Sequence, residues 1–384
     1  MNKLNIVADE NIPLLQEFFG ELGRIRTYPG RSICAAQVRD ADVLLVRSVT
    51  AVGAELLDHS AVQFVGTCTI GTDHLDVDYL QRRAISWSSA PGCNARSVVE
   101  YVLSALARVK PDWLDAEFGI VGCGNVGGLL YRQLRALGLP CKCYDPLLTG
   151  QQNPDLASLE QVLAAPVICL HAPLTTTGPY PSWHLLDAQV LQQLRPGTVL
   201  ISAGRGGVID NQALKKVLQR RRDLTVVLDV WEPEPGIDID LLQLVDLGSP
   251  HIAGYSFDGK VAGTALIYQA LCRHLGRQPE ITVEQLANPQ QGALGEIKLP
   301  SGDRQALLNS AIIAAYDICE DDHNLRQLLS MTTGRPEYFD QLRKNYRQRR
   351  EFSHYPVSGV PATTEGAAIA RDLALLGFPV VGYF

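Results

Sequence analysis

Short apolar runs alternate along this chain with longer stretches whose apolar residues recur every three or four positions. Residues 5–7, 41–47, 62–65, the opening of 118–128, 140–144, 167–171, 198–202 and 224–230 read as strands. Residues 12–22, 95–109, 129–137, 185–194, 211–220 and 259–275 read as helices; in 95–109 the set Val98, Val99, Val102, Leu103 and Leu106 has helical spacing. Alternation of strand and helix predicts parallel α/β sheets, which bind ligands at the carboxyl ends of their strands. Pro91-Gly92-Cys93-Asn94 interrupts the pattern, so the helix after it is expected to cross from a first domain into a second. Residues 276–292 are polar and contain Pro and Gly, as a linker does. Beyond them Ala306, Leu307, Ala311, Ile312 and Ala315 recur at helical spacing, with Ala367, Ala368, Leu373 and Leu375 less regular, and a small separate α+β domain is expected. The expected boundaries are 1–93 with a return segment 256–285, then 94–255, then 286–384.

The stretch from Phe118 to Gly128 is an apolar strand, a glycine-rich turn and a helix start. Gly122, Gly124 and Gly127 fit G-x-G-x-x-G. The first permits a tight turn, the second lets backbone approach a pyrophosphate, and the third lets helix pack on strand. The helix start, with Asn125 and Val126, turns free N–H groups and a positive dipole end toward phosphates. Asp145 ends the following strand, about 20 positions on, where an acidic side chain holds a ribose 2′-hydroxyl. The expected cofactor is NAD rather than NADP.

Composition narrows the picture. The chain has 384 residues, 46% hydrophobic and 20% charged, enough for two or three domains. A net charge of −7 and a pI near 5.6 give no reason to expect nucleic acid or an anionic membrane as partner. No apolar leader stands at residues 1–6 and no run approaches a membrane span, so a cytoplasmic location is expected. The nine cysteines are scattered, with no CxxC pair, and read as reduced thiols rather than disulfides or metal ligands. Cys141 and Cys143 share one face of a strand.

Polar residues follow most of the strands. Ser48, Gly66 and Thr67 are candidate substrate contacts, or ordinary turn residues. Arg205, Glu234 and His251 stand after strands in the second domain. Arg205 can grip a carboxylate through its planar fork. His251 can accept a hydroxyl proton near neutral pH, and Glu234 can orient the imidazole. Singly, each also reads as a surface ion pair, a solvated loop residue or a loop histidine.

The series Gly122 to Gly127, Asp145, His171-Ala172-Pro173-Leu174-Thr175, Gly204-Arg205-Gly206, Leu228 to Pro235 and Pro250 to Gly254 resembles the D-2-hydroxyacid dehydrogenase family in order and spacing. The resemblance implies an enzyme with two Rossmann-like or flavodoxin-like doubly wound parallel-sheet domains around a cleft. It implies catalysis by Arg205, Glu234 (not Glu232) and His251, and NAD contacts at Ala172, Ala203, Gly204, Asp229 and Gly254. Ser202 replaces a frequent Asn of the family, and residues 178–185 depart from its pattern. These departures, with Asp9 to Pro13 and Leu342 to Glu351, resemble one branch of the family. That branch implies a phosphorylated 2-hydroxy acid as substrate, held in part by Ser48, Thr67 and Tyr255, and a homodimer formed through the C-terminal domain. A family member with another 2-hydroxy acid and a non-catalytic NAD-sensing protein remain alternatives. Arg343, Lys344, Arg347, Arg349 and Arg350 read as a solvated helix face. The alternative is that one of them reaches a cleft and binds a substrate phosphate.

Overall fold

The computed structural model describes residues 3–286 and 294–382. They form two compact units, one of residues 3–94 and 256–286, the other of 95–255 and 294–382.

In the first unit, strands β1 (Leu4–Asp9), β2 (Gly23–Tyr28), β3 (Val43–Val46), β4 (Phe64–Thr67) and β5 (Ser86–Ser88) form one parallel sheet in the order β2-β1-β3-β4-β5. Successive side chains point to opposite faces, and both faces are covered. Ile6, Leu45 and Phe64 pack with Phe18, Phe19 and the return helix Phe257–His274, while Val7, Leu44, Val46 and Val65 pack with Leu57 and Leu80. This is why the strands read as unbroken apolar runs. The two edge strands escape the sequence pattern: β2 alternates charged and apolar residues, and β5 has only three residues. A Cβ on Gly66 would lie 2.3 Å from Ile267, so only glycine lets the return helix pack this closely on β4.

In the second unit, β6 (Phe118–Val121), β7 (Cys141–Tyr144), β8 (Val167–Leu170), β9 (Val199–Ser202), β10 (Thr225–Leu228) and β11 (Leu247–Gly248) form a parallel sheet in the order β11-β10-β9-β8-β6-β7. A parallel bridge from Cys143 to Leu156 adds a one-residue outer edge. The order turns back on itself at β6 and β8, the crevice where dinucleotides bind in such sheets. Cys141 and Cys143 share a buried face, as read from the sequence, and all nine cysteines are free thiols, Cys34 exposed.

The C-terminal stretch departs from expectation. Strands β12 (Ile297–Lys298) and β13 (Val357–Ser358) pair, and helices surround them, but this is not a separate body. Leu307, Leu308, Ile312, Phe352 and Leu373 share a core with the 95–109 helix and β6, while Leu325, Leu328 and Phe339 join the core on the other face of the sheet. Buried hydrogen bonds join the pieces: Trp113 Nε1 donates to Asn309 Oδ1 at 2.8 Å and Ser104 Oγ to the Tyr316 carbonyl at 2.7 Å. The periodic apolar face of Arg304–Ala315 thus covers the nucleotide-binding half. Part of the expected linker, residues 287–292, lies outside the described residues.

Candidate active site

The glycine loop is shaped by backbone. Gly122 has φ +86°, and a Cβ there would sit 2.5 Å from the Ala172 nitrogen. A Cβ on Gly127 would lie 1.9 Å from the Gly122 carbonyl oxygen, so only glycine lets helix Asn125–Ala136 pack this closely. Gly124 is exposed, with open space where its Cβ would be, and Asn125 beside it is exposed at the helix start. Asp145 accepts from the Cys123 N–H at 2.9 Å and the Leu147 N–H at 3.1 Å, which places its carboxylate against this loop. Ala172 and Gly204 meet behind it: a Cβ on Gly204 would lie 3.0 Å from the Ala172 carbonyl oxygen. The His171 ring nitrogens are buried without a hydrogen-bond partner among the described residues, and burial pushes the imidazole down to about 4, so it is neutral. The open cradle at Gly124, the free helix N-terminus and these orphaned nitrogens fit a bound dinucleotide.

Past β10 and β11 stands a second centre. His251 has φ +56°, and its Nδ1 lies 2.7 Å from Glu234 Oε2. Glu234 Oε1 accepts from the Trp231 N–H at 2.9 Å. Burial by itself raises the Glu234 carboxyl; His251, the Trp231 N–H and the Arg343 charge outweigh it and hold the group below its ordinary range. An ionised Glu234 only accepts, so Nδ1 carries the hydrogen and Nε2 keeps its lone pair. Nε2 can therefore take a proton from an alcohol. Glu232, the other glutamate of this turn, bonds His184 Nε2 at 2.9 Å instead.

Asp229 lies buried beneath the turn. It accepts from the Ser249 hydroxyl at 2.6 Å, the Ile252 N–H at 2.8 Å and the Ala253 N–H at 3.0 Å. Burial pushes its carboxyl up against the opposing pull of His251 and these donors. Tyr101 extends the chain through Ser249 at 2.8 Å. Arg205 is half-buried, its Nη1 on the Gly204 carbonyl at 3.0 Å. Its loop is pressed on the Glu234 turn, since a Cβ on Gly206 would lie 1.9 Å from the Trp231 carbonyl oxygen. Asn211 clasps both loops, donating to the Ile209 carbonyl at 2.9 Å and accepting from the Glu232 N–H at 3.0 Å. The fold thus joins Glu234 and His251 directly and ties the Arg205 loop to them through Trp231.

Of the remaining candidates, Gly254 and Tyr255 follow His251, and Ala203 directly follows β9. Ser48 and Thr67 belong to the first unit: Ser48 is exposed, while the Thr67 hydroxyl is buried and shared with Thr69 Oγ1 at 2.8 Å and His74 Nε2 at 2.9 Å. Nearby Arg47 donates to buried Asp9 at 3.0 Å. The basic run at 343–350 is only in part a solvated face: Lys344 and Arg347 are exposed, Arg343 and Arg350 are half-buried. Arg349 is 4% exposed, donating to the carbonyls of Ala253 at 3.2 Å and Ser97 at 2.6 Å, and it braces the turn after His251. Asp229, Asn211 and Arg349 have no local sequence signal for these supporting roles, since each acts on residues distant in the chain. Among the described residues no group of three or more His, Cys, Asp or Glu side chains could hold a metal, and no helix is long and apolar enough to cross a membrane.

The description "D-isomer specific 2-hydroxyacid dehydrogenase, NAD binding domain" matches residues 104–253, and a domain of unknown function, DUF3410, matches residues 290–374. The chain is 54% identical over 384 residues to an erythronate-4-phosphate dehydrogenase of Cellvibrio japonicus, covering 98% of this chain and 100% of that one. It is 48% identical to the enzyme of that name from Teredinibacter turnerae, covering 97% and 100%. Among solved structures, NAD+-bound 3-phosphoglycerate dehydrogenase of Entamoeba histolytica superposes with a TM-score of 0.61 at 20% identity, covering 71% of this chain and 96% of that one. D-Lactate dehydrogenase of Aquifex aeolicus, with NAD and lactic acid, gives 0.60 at 22% identity over 71% and 95%. These structural likenesses establish the fold.

Proposed function

The chain belongs to the erythronate-4-phosphate dehydrogenases within the D-isomer specific 2-hydroxyacid dehydrogenases, and from that premise we propose that it oxidises 4-phospho-D-erythronate at C2 to (R)-3-hydroxy-2-oxo-4-phosphooxybutanoate, on the way to pyridoxal 5′-phosphate. NAD is the cofactor. Bound NAD would supply the hydride acceptor for C2. His251 Nε2 takes the hydroxyl proton as the C2 carbonyl forms, and Glu234 holds the resulting imidazolium. Arg205 grips the substrate carboxylate. Gly122, Gly124, Asn125, Val126 and Gly127 receive the pyrophosphate and Asp145 the adenosine ribose, with Ala172, Ala203, Gly204, Asp229 and Gly254 around the rest. Ser48, Thr67 and Tyr255 contact substrate.

The observation that carries this reading is the 2.7 Å contact that leaves His251 Nε2 free to act as base. The test is NADH formation by the purified chain on a panel of phosphorylated 2-hydroxy acids. The expected result is the highest kcat/KM with 4-phospho-D-erythronate. Equal or faster turnover of 3-phosphoglycerate overturns the substrate, and NADH binding without turnover of any acid overturns the enzyme reading.

We also propose a cytoplasmic homodimer, formed through the C-terminal stretch. Removing that stretch would strip Leu307 and Ile312 from a shared core. The test is therefore sedimentation of the full chain, where a monomer at micromolar concentration counts against the dimer.

A further inference from the structure

Helix Arg335–Lys344 carries Arg343 in its last turn. The Arg343 guanidinium lies 5.8 Å from the Tyr255 ring centroid, and Tyr255 meets Tyr346 edge to face at 5.9 Å. Arg343 hydrogen-bonds Tyr255, and it is near enough to Glu234 and Asp340 to interact with their charges. It stands in the same unit as the Glu234–His251 pair.

This guanidinium is not fully used. Its Nε is buried with no hydrogen-bond partner among the described residues. Glu234 interacts with its charge, but the hydrogen bonds of Glu234 go to His251 and the Trp231 N–H. Arg349, from the same basic run, also has a buried Nε without a hydrogen-bond partner among the described residues, but both its terminal nitrogens are spent on backbone carbonyls, so what sets Arg343 apart is its place beside Tyr255 and Glu234. An arginine stays charged at any working pH, and a mostly buried one with donors to spare is costly unless an anion completes it.

We propose that Arg343 binds the phosphate of the substrate, the end remote from C2. This rests on the functional reading above. The substrate has two anionic ends, and Arg205 is assigned to the carboxylate. The planar fork of Arg343 offers the phosphate parallel N–H donors, and the Tyr255 ring fixes the fork's direction. The consequence is selectivity, since an unphosphorylated acid leaves the Arg343 Nε buried without a partner.

The experiment compares the full-length wild type with Arg343→Gln and Arg343→Lys, using kcat/KM for 4-phospho-D-erythronate and for D-erythronate. The preference for the phosphorylated acid should fall on the order of a hundredfold in Arg343→Gln, the size of a charge-assisted hydrogen bond. It should recover only in part in Arg343→Lys, because a point charge does not reproduce the fork. If Arg343→Gln melts early, Arg343→Lys decides, since the preference must fall there too. A parallel loss for both acids, with the preference intact, overturns the proposal and leaves Arg343 a positioning residue for Tyr255 and Glu234. Inorganic phosphate, titrated by phosphorus NMR, separates this inference from the functional reading. If the wild type oxidises neither acid the functional reading fails, yet phosphate binding that is lost in Arg343→Gln still supports the site. Equal phosphate binding by wild type and Arg343→Gln overturns it.

Discussion

The glycine loop after β6 and the turn carrying His251 past β11 belong to one sheet but are built in opposite ways. The loop is a backbone object: a left-handed Gly122, a Gly127 packed where no Cβ fits, and an open Gly124, fastened to Asp145 through the Cys123 N–H. The His251 turn is a side-chain object. Asp229 takes two of its N–H groups, Glu234 fixes the imidazole, and Arg349 holds the Ala253 carbonyl. A dinucleotide needs a surface that backbone can approach, whereas proton transfer needs one nitrogen aimed and its charge balanced. Changes in the first region should therefore act on cofactor affinity, and changes in the second on turnover.

The largest expected effect lies in the second region. His251→Ala removes general-base help worth roughly 10²–10⁴ in kcat. Steady-state NADH formation checks this, and a kcat near wild type would remove His251 from the role of base. Asp229→Asn comes next, because an amide facing two N–H donors and a hydroxyl leaves a buried group unpaired. It should cost about 1–3 kcal/mol of stability in a urea titration, with kcat lowered as the turn loosens. Unchanged stability would mean that Asp229 does not hold the turn.

A smaller effect belongs to the loop. Asp145→Ala removes the charge that opposes a 2′-phosphate, and the NAD over NADP ratio of kcat/KM should fall about tenfold, equivalent to about 1.4 kcal/mol. A ratio that stays put would take Asp145 out of cofactor choice. The smallest effect is that of Glu234→Gln on pH dependence. Glu234 is held below its ordinary 4.5, so its contribution to stability is present above that pH and is lost as pH falls through the lower folded value. The variant lacks this dependence, and its melting temperature should decline less steeply than wild type on acidification below 4.5. Loss of the carboxylate also disfavours imidazolium, which moves the limb of the pH–rate profile set by the base to lower pH.

The two constructions also explain what the sequence reveals. A backbone site is written within a short stretch, so Gly122, Gly124, Gly127 and Asp145 were legible from spacing alone. The Arg205, Glu234 and His251 roles were legible only as a series of motifs in order, and their supports were not. Tyr101, Asn211, Asp229 and Arg349 meet around the Glu234 and His251 turns through tertiary packing that no local pattern encodes. The basic run misled for the same reason. Composition marks it as solvated, but Phe339 of the helix bearing Arg343 is fully buried in the sheet's core, and Arg349 is buried against Tyr316 at 3.7 Å. The extent of the C-terminal stretch was legible, but not its destination, since helical periodicity says that a face is buried without saying against what. Edge strands β2 and β5 were missed because an edge needs no apolar run.

The most direct test measures NAD affinity and turnover on the same preparations of Gly122→Ala and His251→Ala. The added Cβ at φ +86°, 2.5 Å from the Ala172 nitrogen, should distort the loop and weaken NAD binding in the first variant. The second should bind NAD as wild type does while kcat falls by roughly 10²–10⁴. Wild-type NAD affinity in Gly122→Ala, or a loss of NAD affinity in His251→Ala that matches its loss of turnover, would contradict the division between the two regions.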